Sequence, residues 1–358
     1  MNNSRLKQKI PKAAGEVFRQ IILIIISLLF TVVFLALSGY EPFAVINGII
    51  ESLTSDIAGT VRWATPLILA GLAFCVSRKA GFFNLGIDGQ IYLGAVTGVC
   101  VALLIPEGMS HPLGVVLVLI AAMTGGALFA LIPAFMRVYL HTDEVVSTLL
   151  LNFVGSFFVR FLVNGPMRDP GNNVNLNASP LLARNTWLPR LSFLAPSSAN
   201  AGIYIAIAMV ILIAFVFYQT TLGHEIKITG SNPLLARYSG IQPNRIAILV
   251  MMFSGAVAGM IGAIEVFAVQ HRLLADFNPS FGFDGIVVAL LGNNNPIGIF
   301  FSGLFFGALR NGGINMERAT DVPSAVTKIV MAIIIIIISI KITLPMIRKK
   351  PGAGYKAT

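Results

Sequence analysis

Two stretches put glycine, asparagine and aspartate in the middle of otherwise apolar sequence. Gly81-Phe82-Phe83-Asn84-Leu85-Gly86-Ile87-Asp88-Gly89-Gln90 leads into one apolar run, and Phe281-Gly282-Phe283-Asp284-Gly285 opens another that closes on Gly292, Asn293, Asn294, Asn295 and Pro296. Each interior glycine costs a helix about 1 kcal/mol relative to alanine. A carboxylate at the centre of a bilayer costs a few kcal/mol or more. Unwound backbone at that depth is tolerated only where it packs in protein or lines a wet cavity. Asp88 therefore has two open readings, a hydrogen-bond acceptor in a helix-packing turn or part of the lining of a solute path. Phe83, Asn84, Gln90 and Asn152 are the types that stack on or hydrogen-bond an uncharged solute, and Asp284 repeats the Asp-Gly pair of the first stretch. Arg160, Glu265 and Lys328 also lie in or beside apolar runs, as path residues or as interhelix pairs such as a Glu–Lys bridge.

A third stretch, Leu222 to Ile241, suits docking. Asn232 is a helix-capping type with Pro233 at the first helical position. Leu234 to Tyr238 give little more than one turn, and Gly240 ends it. Such a helix lying across a membrane face is either a seat for a partner or an ordinary amphipathic connector. Thr142-Asp143-Glu144-Val145 is expected to cap the helix that follows it, where acidic residues are favoured.

The elements that must position these residues follow from composition. Of 358 residues, 56% are hydrophobic and 11% charged, against about 25% charged in a soluble chain. With a mean hydropathy of +0.83, this is an all-α, polytopic membrane protein. A cytosolic enzyme, a disulfide scaffold and a disordered chain are excluded as the main body. Cys75 and Cys100 read as buried small apolar side chains, and the histidines at 111, 141, 224 and 271 lack ligand spacing. No GxxxxGK[ST], HExxH, GxSxG or CxxC occurs, so the chain is read as a non-enzyme that binds no cofactor itself.

Apolar runs of spanning length predict ten crossings at 18–38, 61–77, 84–105, 114–133, 146–163, 202–219, 245–265, 283–292, 297–310 and 324–344, the eighth short enough to be broken or re-entrant. Segment 41–60 reads as an amphipathic helix on the outer surface. The net charge of +10 fits the positive-inside rule, not nucleic acid, because Lys and Arg gather at the two ends and in alternate loops. This leaves tails 1–20 and 345–358 in the cytoplasm, a transmembrane body over 21–344, an external loop at 164–201 and a cytoplasmic segment at 220–244. Arg168, Arg184, Arg190, Arg272, Arg310 and Arg318 fall to the outer loops. The two Asp-Gly stretches, one at an inner and one at an outer end, suggest inverted repeats.

GFFNLGIDGQ, TDEVVSTLLLN, ITGSNPLLARYSGI and GFDGIVVALLGNNNPIG together resemble, in order and spacing over 61 to 340, the permease subunits of ABC importers. The branch is that of simple-sugar, branched-chain amino acid and nucleoside permeases, and the likeness is greatest to its longer nucleoside permease subunit. Asp88 departs from the glutamate usual there, so an exact polar contact does not carry over. The resemblance implies a type II importer fold of about ten helices with inverted halves. It implies coupling through Gly230, Asn232, Pro233, Ala236, Arg237, Tyr238 and Gly240 to a separate ATPase subunit that holds ATP and Mg. It also implies a second, homologous permease in a heterodimer, an external binding lipoprotein or periplasmic binding protein, and residence in a bacterial plasma membrane. Asp88, Asn152 and Asp284, with Phe83, Asn84 and Gln90, would line the path. The alternatives are a monosaccharide or branched-chain amino acid cargo, an ion-coupled transporter using Asp88, Glu265 and Asp284, or a membrane enzyme or scaffold.

Overall fold

The computed structural model describes residues 54–319 apart from 107, 172–176 and 195–197, together with scattered positions within 22–47 and 329–337. The tails 1–20 and 345–358, most of the first and last predicted spans, residues 41–46 and 48–53, Lys328 and Lys341 lie outside the described residues. Ten helices follow in order within them: α1 (Ile57–Lys79), α2 (Ile87–Leu104), α3 (His111–Leu140), α4 (Glu144–Asn164), α5 (Gly202–Gln219), α6 (Thr221–Ser231), α7 (Pro233–Tyr238), α8 (Pro243–Ile264), α9 (Phe281–Leu291) and α10 (Pro296–Ala319). The only β-pairing among the described residues is two isolated bridges.

Seven of these helices are long and apolar enough to cross a membrane, and α9 is a shorter apolar helix. Each predicted span from 61–77 to 297–310 has its helix. Pro133 does not stop α3, which runs to Leu140. A π-helical turn, Glu265–Gln270, prolongs α8. Segment 221–231, the first part of the stretch expected to dock a partner, is a helix capped by the Thr220 hydroxyl. Asp143 caps α4, accepting from the Val145 and Val146 amides at 2.8 and 3.1 Å.

Two assignments are corrected. Arg310 and Arg318 belong to α10 and not to an outer loop; the Arg310 charge is satisfied by Asp284 at 2.8 Å, so the helix can continue past it. Cys100 is exposed, unlike buried Cys75, because α2 turns that face outward, where a thiol suits lipid as well as it suits a core.

α1 and α8 form the inside of the bundle, with Leu67, Ile68, Leu69, Phe74, Val250 and Ile261 fully or almost fully buried. α3, α4 and α5 turn large apolar side chains outward, among them Leu128, Phe157, Phe161, Ile211 and Phe215. An apolar exterior of this extent is the surface a bilayer covers. The described residues of 165–201 lie at one end of α5 and helices α6 and α7 at the other. The first is a cap bonded to the strip 267–275: the Leu188 amide donates to Phe267 O, Leu182 to His271 O and Ser179 to Leu273 O at 2.9–3.0 Å.

Candidate functional site

Two helices begin inside the bundle and meet at their N-termini. α2 starts at Ile87, three residues later than predicted, because 81–86 is non-helical. The polar groups of that stretch are met by side chains from α4 and from the stretch itself. The Leu85 amide donates to Thr148 Oγ1, Leu85 O accepts from Asn152 Nδ2, and the Gly86 amide donates to Asn84 Oδ1. Asn152 Oδ1 also accepts from the Gly89 amide at 2.7 Å. Only this satisfaction lets irregular backbone persist at such depth. α9 has 11 residues, about 16 Å of helix, which is half of what a hydrocarbon core of about 30 Å requires.

Asp88 joins the two ends. It stands in the first turn of α2, and its Oδ1 accepts from the Gly282 amide of α9 and from Asn278 Nδ2, both at 2.8 Å. Asn278 Oδ1 in turn accepts from the Phe281 amide at 3.0 Å. The carboxylate thus serves two helix N-termini, each carrying roughly half a positive charge.

Beside it opens a cavity of ≈ 210 Å³. Its polar lining is Asp88, Tyr92, Asn152, Ser156, Asn278 and Ser280, and its apolar lining is Leu149, Phe153 and Phe283. Asp88, Tyr92, Asn152 and Asn278 are each more than nine-tenths buried, whereas Phe153 and Phe283 form an exposed rim.

The structure divides the residues singled out from the sequence. Asp88 and Asn152 line the cavity. Asn84 and Gln90 do not: they are buried and bond to each other in both directions at 2.9 and 3.0 Å. Asn84 also donates to Ser254 Oγ, which donates to Ala73 O. That clasp ties the non-helical stretch to α8 and α1. Phe83 stands apart from the cavity, edge-on to Phe74 and beneath Arg78. Asp284 pairs with Arg310. Tyr92, Ser156, Asn278, Ser280 and Phe283 escaped the sequence reading. The turn types Asn278-Pro279-Ser280, immediately ahead of the second glycine stretch, were the available signal.

A buried charge cluster flanks the site towards the capped end. Arg62 meets Glu265 with two parallel bonds, Nη1–Oε1 at 2.9 Å and Nη2–Oε2 at 2.6 Å. An interhelix pair was expected at Glu265, and its partner is Arg62 and not a lysine. Arg310 lies over the rings of Trp63 and Phe281 while holding Asp284. Arg160, the other polar residue noted near an apolar run, pairs with Asp276 at 2.7 Å.

At the opposite end, Asn232 caps α7 through the Leu234 and Leu235 amides, with Pro233 first in the helix. Gly240 follows at φ +78°, a conformation that glycine adopts without steric penalty. Arg237, Tyr238, Leu234 and Leu235 are exposed, Tyr238 to 90%. Ala236 is fully buried, and Gly230 packs on the backbone of Lys79 and Ala80. An open hollow of ≈ 390 Å³, lined by Arg237 and residues 240–244, lies alongside.

On the capped face, Trp187 stacks on His271 with ring centroids 3.7 Å apart. Burial, and then the neighbouring Arg190 charge, hold the imidazole pKa below its usual 6.5. The folded state therefore favours the neutral ring. Its contribution to stability is present above pH 6.5 and is lost as the pH falls through the lowered value. Trp187 fluorescence is expected to titrate with a midpoint below 6.5 and to lose that transition in His271→Gln; a midpoint at or above 6.5 contradicts the stacked geometry.

Residues 57–339 match the family described as branched-chain amino acid transport system / permease component. A nucleoside ABC transporter permease protein, NupB, of Lactococcus lactis subsp. cremoris (strain MG1363) is 33% identical over 99% of this chain and 96% of its own length. A glucose ABC transporter permease protein of Haloferax volcanii is 37% identical over 80% of this chain and 77% of its own. A guanosine ABC transporter permease protein, NupP, of Bacillus subtilis (strain 168) is 29% identical over 88% and 90%. No solved structure matches the chain.

Proposed function

The chain belongs to the branched-chain amino acid transport system permease component family, and from that premise we propose that it is the membrane-spanning permease of an ABC importer for nucleosides. Relatives named for nucleoside and guanosine transport align with it over nearly their whole length, which favours nucleosides over a monosaccharide or a branched-chain amino acid. As in the family, the permease works with an ATPase and a substrate-binding protein. In our reading the ATPase carries ATP and Mg, and a second, homologous permease completes a heterodimer. The body over 21–344 sits in a bacterial plasma membrane with both tails in the cytoplasm. The external loop 164–201 receives the binding protein, and segment 220–244 receives the ATPase. Solute passes the cavity beside Asp88 and Asn152. Asn84 and Gln90 hold the wall, Asp284 flanks it, and Phe83 lies apart from it.

The observation that carries this reading is α7. A capped helix of six residues with Leu234, Leu235 and Tyr238 exposed presents apolar area of the kind a partner covers. ATP binding in that partner would move α7, and α6 with it, against the seat of Gly230 on the end of α1. Leu234→Asp together with Tyr238→Ala is expected to lower ATP-driven nucleoside uptake in reconstituted vesicles at least tenfold, because hot-spot truncations at an interface cost about 2 kcal/mol or more each. Membrane insertion and docking of the binding protein should be unchanged. ATPase assembly that survives both substitutions would remove α7 as the dock. Uptake that collapses with an uncoupler but needs no ATP would favour the ion-coupled alternative.

A further inference from the structure

We propose that Asp88 makes the cavity beside it selective against anionic solutes, so that the path admits a nucleoside and turns away its phosphorylated form. The inference rests on the nucleoside reading above for the identity of the solute, but the charge selection stands on the cavity itself.

Asp88 is the one residue of the cavity lining whose side chain is a carboxylate or a strong cation. The charges nearest to it are cancelled in pairs. Asp284 is held by Arg310 at 2.8 Å, and Asp276, next to the Phe277 that packs on Tyr92, is held by Arg160 at 2.7 Å. Without Asp88 the cavity would be bordered by the N-termini of α2 and α9, whose amides and dipoles favour an anion. With it, that field is met from within the protein: Oδ1 already accepts from the Gly282 amide and from Asn278. An arriving phosphate monoester, at about −1.5 to −2 charge, would meet a fixed carboxylate in place of free donors. The rest of the lining suits a neutral solute with hydroxyl groups and a flat ring. Asn152, Asn278 and Ser156 offer hydrogen-bonding atoms, and Phe283 offers an exposed face.

The test uses the complete transporter in lipid nanodiscs, with Cys75→Ala and Cys100→Ala to clear native thiols and Ser156→Cys as a reporter in the cavity wall. Methanethiosulfonates of equal length, one carrying an ammonium and one a sulfonate, are compared by labelling rate. Relative to a free thiol, the cationic reagent is expected to be favoured by at least tenfold, since one charge within about 8 Å at an effective dielectric near 20 changes each reagent's local concentration by roughly thirtyfold, upward for the ammonium and downward for the sulfonate. Asp88→Asn, which keeps an oxygen acceptor for Gly282 and Asn278, should abolish that preference. Asp88→Glu should keep it. A nucleoside is expected to protect the reporter in the parent protein, and its 5′-monophosphate only in Asp88→Asn. An equal charge preference with and without the Asp88 carboxylate, or a reporter that neither reagent reaches, overturns the proposal. Charge preference without protection by any nucleoside sinks the nucleoside reading and leaves the charge selection standing.

Discussion

Arg62→Leu should cost about 3–5 kcal/mol of stability. Arg62 and Glu265 are 7% and 1% exposed, and they meet through two charge-assisted bonds between positions 203 residues apart. Removing the guanidinium leaves a carboxylate with no water to solvate it, at the start of the π-turn that ends α8. Arg62→Leu combined with Glu265→Leu should recover most of the loss, because the expense lies in the orphaned charge and not in the missing bond. Arg62→Lys should fall between, since an ammonium cannot make the parallel pair. Thermal unfolding in detergent, read as the monodisperse fraction on size exclusion, orders the four proteins. Arg62→Leu melting with the parent, or the double variant melting below Arg62→Leu, contradicts this account.

Gly259→Leu should prevent the bundle from closing. A Cβ at Gly259 would meet the Ala122 carbonyl oxygen, with the Ala122 carbonyl carbon at 2.9 Å and Gly126 Cα at 3.3 Å. From the facing side, a Cβ at Gly94 would meet Gly259 Cα itself. α2, α3 and α8 therefore cross where each offers only backbone, the small-residue packing by which membrane helices approach closely. Ordinary overpacking of a core costs about 1–3 kcal/mol because side chains can shift; here the obstacle is backbone, so whole helices must part. The expected result is protein that inserts but aggregates on extraction, with Gly259→Ala already impaired. Gly108→Ala, where an added Cβ meets nothing within 4 Å, is the matched control. Parent-like yield from Gly259→Leu would show that the helices do not meet backbone to backbone at this crossing.

Much of the fold is legible in the chain because its signals are local. Seven helices cross where apolar runs of spanning length predict them, since lipid demands an uninterrupted apolar stretch whatever its neighbours are. The caps at Asn232 and Asp143 are equally readable, because capping involves an oxygen and amides two or three residues away. The two glycine-aspartate stretches are visible as places where a plain helix is unfavourable.

What each polar residue does there was not legible. Asn84 and Asn152 have the same chemistry, yet one clasps Gln90 and Ser254 in the interior and the other holds a backbone turn and lines the cavity. Arg310 could be assigned to a loop until α10 set it against Asp284. A hydrogen bond or ion pair between residues 26 to 203 positions apart is a property of the crossing of helices, and nothing within either segment records it. The chain alone thus determined that this protein lives in lipid, which of its runs are long and apolar enough to span it, and which residues are too polar to face the bilayer. Only the tertiary structure decided which of those residues satisfy one another and which remain to meet a solute, because pairing energy depends on distance in space while sequence fixes only distance along the backbone.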